Sequence, residues 1–244
     1  APDVDNRFGE VDGPPVGLPT VTVRKVNVGV LGCGNVGAAL VQLVADRADE
    51  IEARTGIRLE VGRVAVRSLT RNRPIDLAEE VLTRDAAEVV VDPAIDVVVE
   101  VIGGIEPARE LILAALAAGK PVVTANKELL ANHGAELYQA AAEAKVDLLF
   151  EAAVAGGIPI LRPLRESLVG EDVRRIMGIV NGTTNFILTK MSDAGESYAE
   201  ALAEAQQLGF AERDPTADVE GFDAGAKAAI LASIAFGAKV VAGA

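Results

Sequence analysis

The sequence predicts an α/β protein: a doubly wound parallel sheet followed by a second α+β domain. A G-x-G-x-x-G turn sits between an apolar strand and a helix near the start of the chain. Short Val-rich runs then alternate with stretches of helical length as far as residue 150, and strands alternating with helices imply parallel pairing.

Residues 1–24 carry acids, prolines and glycines without a basic start and apolar run, so they read as a flexible leader and not a secretory signal. Residues 25–31 are the first strand, 32–37 the glycine-rich turn and 38–54 the first helix. A second strand is expected at 59–66, a third β element at 88–91 before Asp92-Pro93, and the clearest strand at 95–102, bounded by Gly103-Gly104. A helix at 107–118, a strand at 122–124, a helix at 128–144 and a strand at 148–150 complete a nucleotide-binding domain spanning residues 25–150. A second domain is expected over 151–244. It holds a helix at 159–168, a strand at 173–180, helices at 184–194 and 198–208, a last helix from about 223 and a strand-like pair at 239–240.

The 244 residues suffice for a sizeable core without disulfides or metals. Half of them are hydrophobic, yet no apolar run reaches the roughly 18 residues that cross a bilayer, so no membrane partner is expected. The net charge of −13 and pI near 4.6 argue against a nucleic-acid surface. The single cysteine, Cys33, cannot form an internal disulfide, which fits a cytoplasmic location.

Gly32, Gly34 and Gly37, with Asn35 and Val36 between the last two, lie where a strand hands over to a helix. Backbone amides and the helix N-terminus there attract a pyrophosphate, which makes the first domain a Rossmann-type dinucleotide binder. The plainer reading is that the glycines only permit a tight turn, with Cys33 as a small spacer. No acid stands at the end of the second strand to bind a ribose 2′-hydroxyl. Arg67, Arg71 and Arg73 follow it instead, favouring NADP with NAD also admitted, unless they are solvated loop residues.

Lys127, in Thr124-Ala125-Asn126-Lys127, falls just past a strand's C-terminal end, the edge where such sheets bind ligands. It could polarise a substrate oxygen there, or simply be a surface residue at a helix start. His133, the only histidine, has no acid partner in view and reads as structural. From Ala205 to Lys227, Gly209, Glu212, Pro215, Asp218, Gly221, Asp223 and Lys227 crowd carboxylates and a lysine into one loop and helix start. Asp223 and Lys227, four apart, share a helix face, close enough to hold one ligand or to form an ordinary ion pair.

The run A-x-x-x-G-F-A-x-x-D-P-x-x-D-V-x-G-x-D-x-x-x-K over 205–227 resembles the signature of the homoserine dehydrogenase family. G-C-G-N-V-G, T-A-N-K, E-A-A-V-A-G-G-I-P-I from Glu151 and N-G-T-T-N-F-I-L from Asn181 extend the resemblance over nearly all of 26–238. It implies an NAD(P)-dependent oxidoreductase interconverting homoserine and aspartate 4-semialdehyde, on the route to threonine, methionine and isoleucine. Lys227 would be the proton donor and acceptor, and Lys127 would touch substrate and nicotinamide. Glu212 and Asp223 would hold the substrate amino group with Asp218 in support, and Gly209 and Glu212 would lie against the cofactor. It also implies a monovalent cation, usually sodium, at Glu151 and the backbone oxygens of Val154, Gly156 and Ile158, and a homodimer.

Members of that family continue past this length, so the chain reads as C-terminally truncated. Two other readings remain. Another two-domain NAD(P) oxidoreductase would share the glycine turn and Lys127 but lack the cluster ending at Lys227. A non-catalytic fragment would bind NADPH without turning it over.

Overall fold

A computed structural model describes residues 23–70 and 73–242 of the chain. Most of the expected leader and Arg71 lie outside the described residues.

Six strands form one sheet: β1 (Arg24–Leu31), β2 (Ile57–Ala65), β3 (Leu82–Thr83), β4 (Val97–Glu100), β5 (Val122–Thr124) and β6 (Leu148–Leu149). Their order is β3-β2-β1-β4-β5-β6 and every pairing is parallel. The order reverses between β1 and β4, so the crevice where a ligand binds opens at their C-terminal ends.

Helices cover both faces: α1 (Asn35–Thr55), α2 (Ala86–Val91), α3 (Ala108–Ala117) and α4 (Lys127–Ala144). Val41 of α1 packs with Val28, Val30, Val64 and Val99 on one face. On the other, Val89 and Val90 of α2, Ile112 and Leu116 of α3 and Leu129 and Leu137 of α4 close over Leu31, Val98 and Val122. Alternate residues of β1 and β4 thus serve opposite faces, as the period-2 geometry of a strand requires.

The third β element expected at 88–91 is a correction, because those residues are the end of α2. The Asp85 carboxylate accepts from the backbone amides of Ala87 (2.9 Å) and Glu88 (3.1 Å), capping a six-residue helix. The β-branched run misled because Val89 and Val90 are buried against the sheet, a role that suits either conformation. The true third strand is the two-residue β3 just upstream.

Beyond β6 come α5 (Gly182–Thr189), α6 (Tyr198–Gln207), α7 (Thr216–Val219) and α8 (Phe222–Ala235). A helical turn at Pro163–Ser167 precedes them. The strand expected at 173–180 is a second correction: the segment pairs with no strand among the described residues and leaves Met177 and Ile179 exposed. Its Val and Ile content suits a strand, but a strand needs a partner to bond. The pair 239–240 likewise forms no strand. Ser197 and Glu200 form a reciprocal capping box that starts α6. Ile187, Ala201, Ala205 and Ala211 make a small core of their own. Helix α8 instead joins the main core through Ala226, Ala229, Ile230 and Leu231, packing on α4.

Candidate active site at the sheet's C-terminal edge

The three glycines of the turn have three distinct jobs. Gly32 has φ +101°, and a Cβ there would meet the Val101 carbonyl oxygen at 2.9 Å. A Cβ on Gly37 would lie 2.2 Å from the Gly32 carbonyl oxygen, so the helix can approach the turn only because that residue is bare. Around Gly34 nothing lies within 4 Å of such an atom. It is also the N-cap of α1, with no side chain bonded to the first-turn amides, and Asn35 and Val36 beside it are exposed. Open amides at a helix N-terminus form an anion site.

Two outcomes check this division. Gly37→Ala is expected to cost about 2 kcal/mol of stability through backbone overpacking, read as a lower urea midpoint. Gly34→Ala should unfold within about 0.5 kcal/mol of the parent yet bind a nicotinamide dinucleotide at least tenfold more weakly by fluorescence titration.

Arg67 is exposed two residues past the end of β2, and the Ala65 carbonyl of that strand accepts from the Gly32 amide at 3.0 Å. Arg73 folds back over the same loop, donating to the carbonyls of Ser68 and Leu69. It also neighbours Cys33: burial pushes the thiol up from its usual value, and the Arg73 guanidinium opposes that.

The loops after β4 and β5 are tied together by a carboxylate with no exposure at all. Glu100, the last residue of β4, accepts from the amides of Ile102 (2.8 Å) and Gly103 (3.2 Å) and from the Thr124 hydroxyl (2.5 Å). Asn126 donates to the Gly104 carbonyl (2.6 Å) and accepts from the Leu129 amide (3.1 Å), capping α4. Lys127, the first residue of that helix, is therefore held by both loops.

Lys127 forms an ion pair with Asp223 of α8. The other oxygen of Asp223 accepts from Lys227 (2.6 Å) and from the Asn181 carboxamide (2.8 Å). Asn181 also donates to Asp218 (2.7 Å), while Lys227 donates to the Val180 carbonyl (2.5 Å). Asp223 is 5 % exposed. Burial pushes its carboxyl up, but hydrogen bonds from Asn181, Lys127 and Lys227 outweigh that and hold it down at about 2.

Lys127, Lys227, Asp223 and Asp218 are thus one network, of which the sequence spacing paired only Asp223 with Lys227. Glu212 is not part of it: the residue is exposed beyond α6, with no bond to the two lysines among the described residues. Gly209, at φ +78°, is exposed in the same loop. His133 is 3.8 Å from Glu136, one turn along α4. Asn181 and Glu100 were not singled out from sequence. An Asn three residues before Thr184 and an acid closing an apolar strand were the available signals.

Glu151 has a different neighbourhood. Its carboxylate accepts from the amides of Ile160 (2.6 Å), Leu161 (2.9 Å) and Arg162 (2.8 Å). Three of the four acceptor positions of a carboxylate are then filled. Val154, Gly156 and Ile158 lie in the bend between, where Ala155 and Gly157 have positive φ. One remaining carboxylate lone pair and backbone carbonyls are hard oxygen donors, a set that suits a weakly held monovalent cation. Among the described residues no three His, Cys, Asp or Glu side chains gather as a metal site.

An open helix N-terminus at the switch point of a parallel sheet defines a Rossmann-type dinucleotide-binding class, here with a lysine–carboxylate network joining α4 to α8. The family models described as "Homoserine dehydrogenase, NAD binding domain" and "Homoserine dehydrogenase" match residues 32–151 and 159–243. Homoserine dehydrogenase of Corynebacterium glutamicum is 56 % identical over 217 residues, 89 % of this chain and 48 % of its own. The crystal structure of a homoserine dehydrogenase from Thiobacillus denitrificans superposes with a TM-score of 0.77 at 49 % identity, covering 88 % of this chain and 49 % of that one. A hyperthermophilic archaeal homoserine dehydrogenase in complex with NADPH gives a TM-score of 0.76 at 36 % identity, covering 88 % of this chain and 70 % of that one. The chain belongs to the homoserine dehydrogenase family, and spans about half the length of the curated relatives it matches. No helix among the described residues is long and apolar enough to cross a membrane.

Proposed function

We propose that the chain carries the catalytic core of an NAD(P)-dependent homoserine dehydrogenase, interconverting L-homoserine and L-aspartate 4-semialdehyde in amino-acid biosynthesis. The observation that carries this reading is the Lys127–Asp223–Lys227 network, which joins the sheet edge to α8. When bound, the nicotinamide supplies the hydride acceptor for the carbinol carbon.

The rest is the work of side chains. An ammonium has three N–H donors, and Lys227 spends two of them on Asp223 and the Val180 carbonyl. The third is left for the substrate oxygen. In the reducing direction that ammonium gives its proton to the carbonyl oxygen as the carbinol C–H bond forms. In the oxidising direction a neutral Lys227 takes the hydroxyl proton as the C=O bond forms and the hydride departs. Lys127, held at the start of α4, contacts substrate and nicotinamide and stabilises charge developing on the oxygen. Asp223, Asp218 and Glu212 are the acidic side that receives the substrate ammonium.

Gly32, Gly34, Asn35, Val36 and Gly37 would hold the cofactor, with Gly209 and Glu212 beside it and Arg67 to receive a 2′-phosphate, so NADP would be preferred and NAD admitted. Glu151 with the carbonyls of Val154, Gly156 and Ile158 would hold a monovalent cation, sodium by preference. The nucleotide-binding half ends near residue 150 and the remainder binds substrate and forms a homodimer in the cytoplasm.

The test is homoserine-dependent reduction of NADP and NAD by the purified chain. The reading expects turnover with a higher kcat/KM for NADP. In Arg67→Ala that preference is expected to fall about tenfold, the loss of roughly one charge-assisted contact, with NAD turnover kept. Equal losses for both cofactors would remove Arg67 from the 2′-phosphate site, and NADPH binding without any turnover would leave only a dinucleotide-binding module.

A further inference from the structure

The side chain that joins the two acids of the network is neither charged nor assigned any role above. Asn181 is buried and immediately precedes α5. A carboxamide offers two N–H donors and two acceptor lone pairs, and here all four are used. Its oxygen accepts from the Thr184 amide and the Thr184 hydroxyl, each at 2.8 Å. Its nitrogen donates to Asp218 at 2.7 Å and to Asp223 at 2.8 Å. The orientation is fixed by this arrangement, since a flipped amide would set its oxygen against two carboxylates and its nitrogen against two donors.

The groups facing Asp223 are Lys127 from α4, Lys227 from its own helix, Asp218 across Asn181, and Asn181 itself. Two of its three donors are lysines, and one of those exchanges a proton with substrate in the function proposed above. Asn181 is the donor that never titrates. Whenever Lys227 is neutral, Asp223 keeps one cation fewer, and like charge from Asp218 presses on it. A neutral amide between the two acids offsets that repulsion throughout the cycle.

We infer that Asn181 is a positioning residue: its carboxamide bridges Asp218 and Asp223 and so fixes the carboxylate that holds both lysines. The inference rests on the proposed role of Lys227 only for its effect on turnover, and its geometric content stands apart from it.

Helix capping is the competing role, and substitution can separate the two. Asp and Ser are N-caps as good as Asn, so Asn181→Asp and Asn181→Ser both keep the bond to the Thr184 amide. Neither can donate as the carboxamide does to both acids, and Asn181→Asp adds a third carboxylate. The measurement is a titration of the aspartate side-chain carboxyls by 13C NMR on the whole chain, with the Asp223 signal assigned by its loss in Asp223→Asn. In Asn181→Asp the proton affinity of Asp223 is expected to rise at least tenfold, about one pH unit, and in Asn181→Ser by less. At neutral pH Asn181→Asp is expected to melt a few degrees below the parent, since a tenfold rise in proton affinity is about 1.4 kcal/mol of folding stability, and Asn181→Ser to melt closer to it.

Alongside this, kcat for homoserine oxidation is expected to fall about tenfold, that is by about 1.4 kcal/mol, with KM for NADP unchanged. An Asp223 titration identical to the parent in both variants would overturn the inference and leave Asn181 a cap. A moved titration with kcat untouched would uphold the bridge and count against the role proposed for Lys227.

Discussion

Lys227→Ala is expected to lower homoserine oxidation by roughly a thousandfold, within the range of 10² to 10⁴ typical for a lost general acid–base group, while NADPH still binds. The separation follows from where the parts sit. Amides of the glycine turn belong to β1 and α1, and α8 contributes nothing to them. Lys227, 17 % exposed in its side chain, has the Asp223 carboxylate and the Val180 carbonyl as its only partners among the described residues, and no second described amine stands in for it there. Lys227→Arg sharpens the result. A guanidinium keeps the charge and the ion pair but does not lose its proton at working pH, so it should fold like the parent and still fail to oxidise homoserine. Steady-state assays beside a fluorescence titration with NADPH decide it. If Lys227→Ala keeps more than a tenth of the parental kcat, the proton is handled elsewhere.

The parts legible in the sequence are those whose cause is local. Gly32, Gly34 and Gly37 announce themselves because each answers to a steric demand within a few residues, and the strand and helix that flank them have opposite periodicities. The fold class followed from that turn and from the alternation behind it. What the sequence hid depends on pairing at a distance. Residues 88–91 are as β-branched as a strand, and only the cap from Asp85 turns them into a helix. The run 173–180 is as rich in Val and Ile as a strand but pairs with none of the described ones. Asp223 and Lys227 could be placed on one helix face from their spacing of four. That Lys127 would arrive at the opposite oxygen could not, because α4 and α8 meet only through Ala226, Ala229 and Ile230 packing into a core nearly a hundred residues upstream. Asn181 was hidden for the same reason: its partners are 37 and 42 residues away.

Asp223→Asn is expected to be the most destabilising single change in the network, because it removes the one anion to which two ammonium groups are bonded. Unpairing a buried ion pair by deleting one partner costs about 3 kcal/mol. Lys127 is 43 % exposed in its side chain and can turn to water, so most of the cost falls on Lys227, which cannot. The pH dependence distinguishes this from lost packing. Asp223 has its folded value held down at about 2, below the roughly 3.9 of an unfolded aspartate. A depressed carboxyl contributes stability that is fully present above the unfolded value and is lost as pH falls through the folded one. The gap between parent and variant should therefore be constant from pH 7 down to about 4 and close between about 4 and 2. Urea unfolding midpoints taken at pH 7, 4 and 3 measure it directly. A gap that stays the same width at pH 3 would mean that asparagine fits the site badly for reasons of shape. The lysines would then be held by something other than the charge of Asp223, and the case for that carboxylate as the anchor of the catalytic network would fail with it.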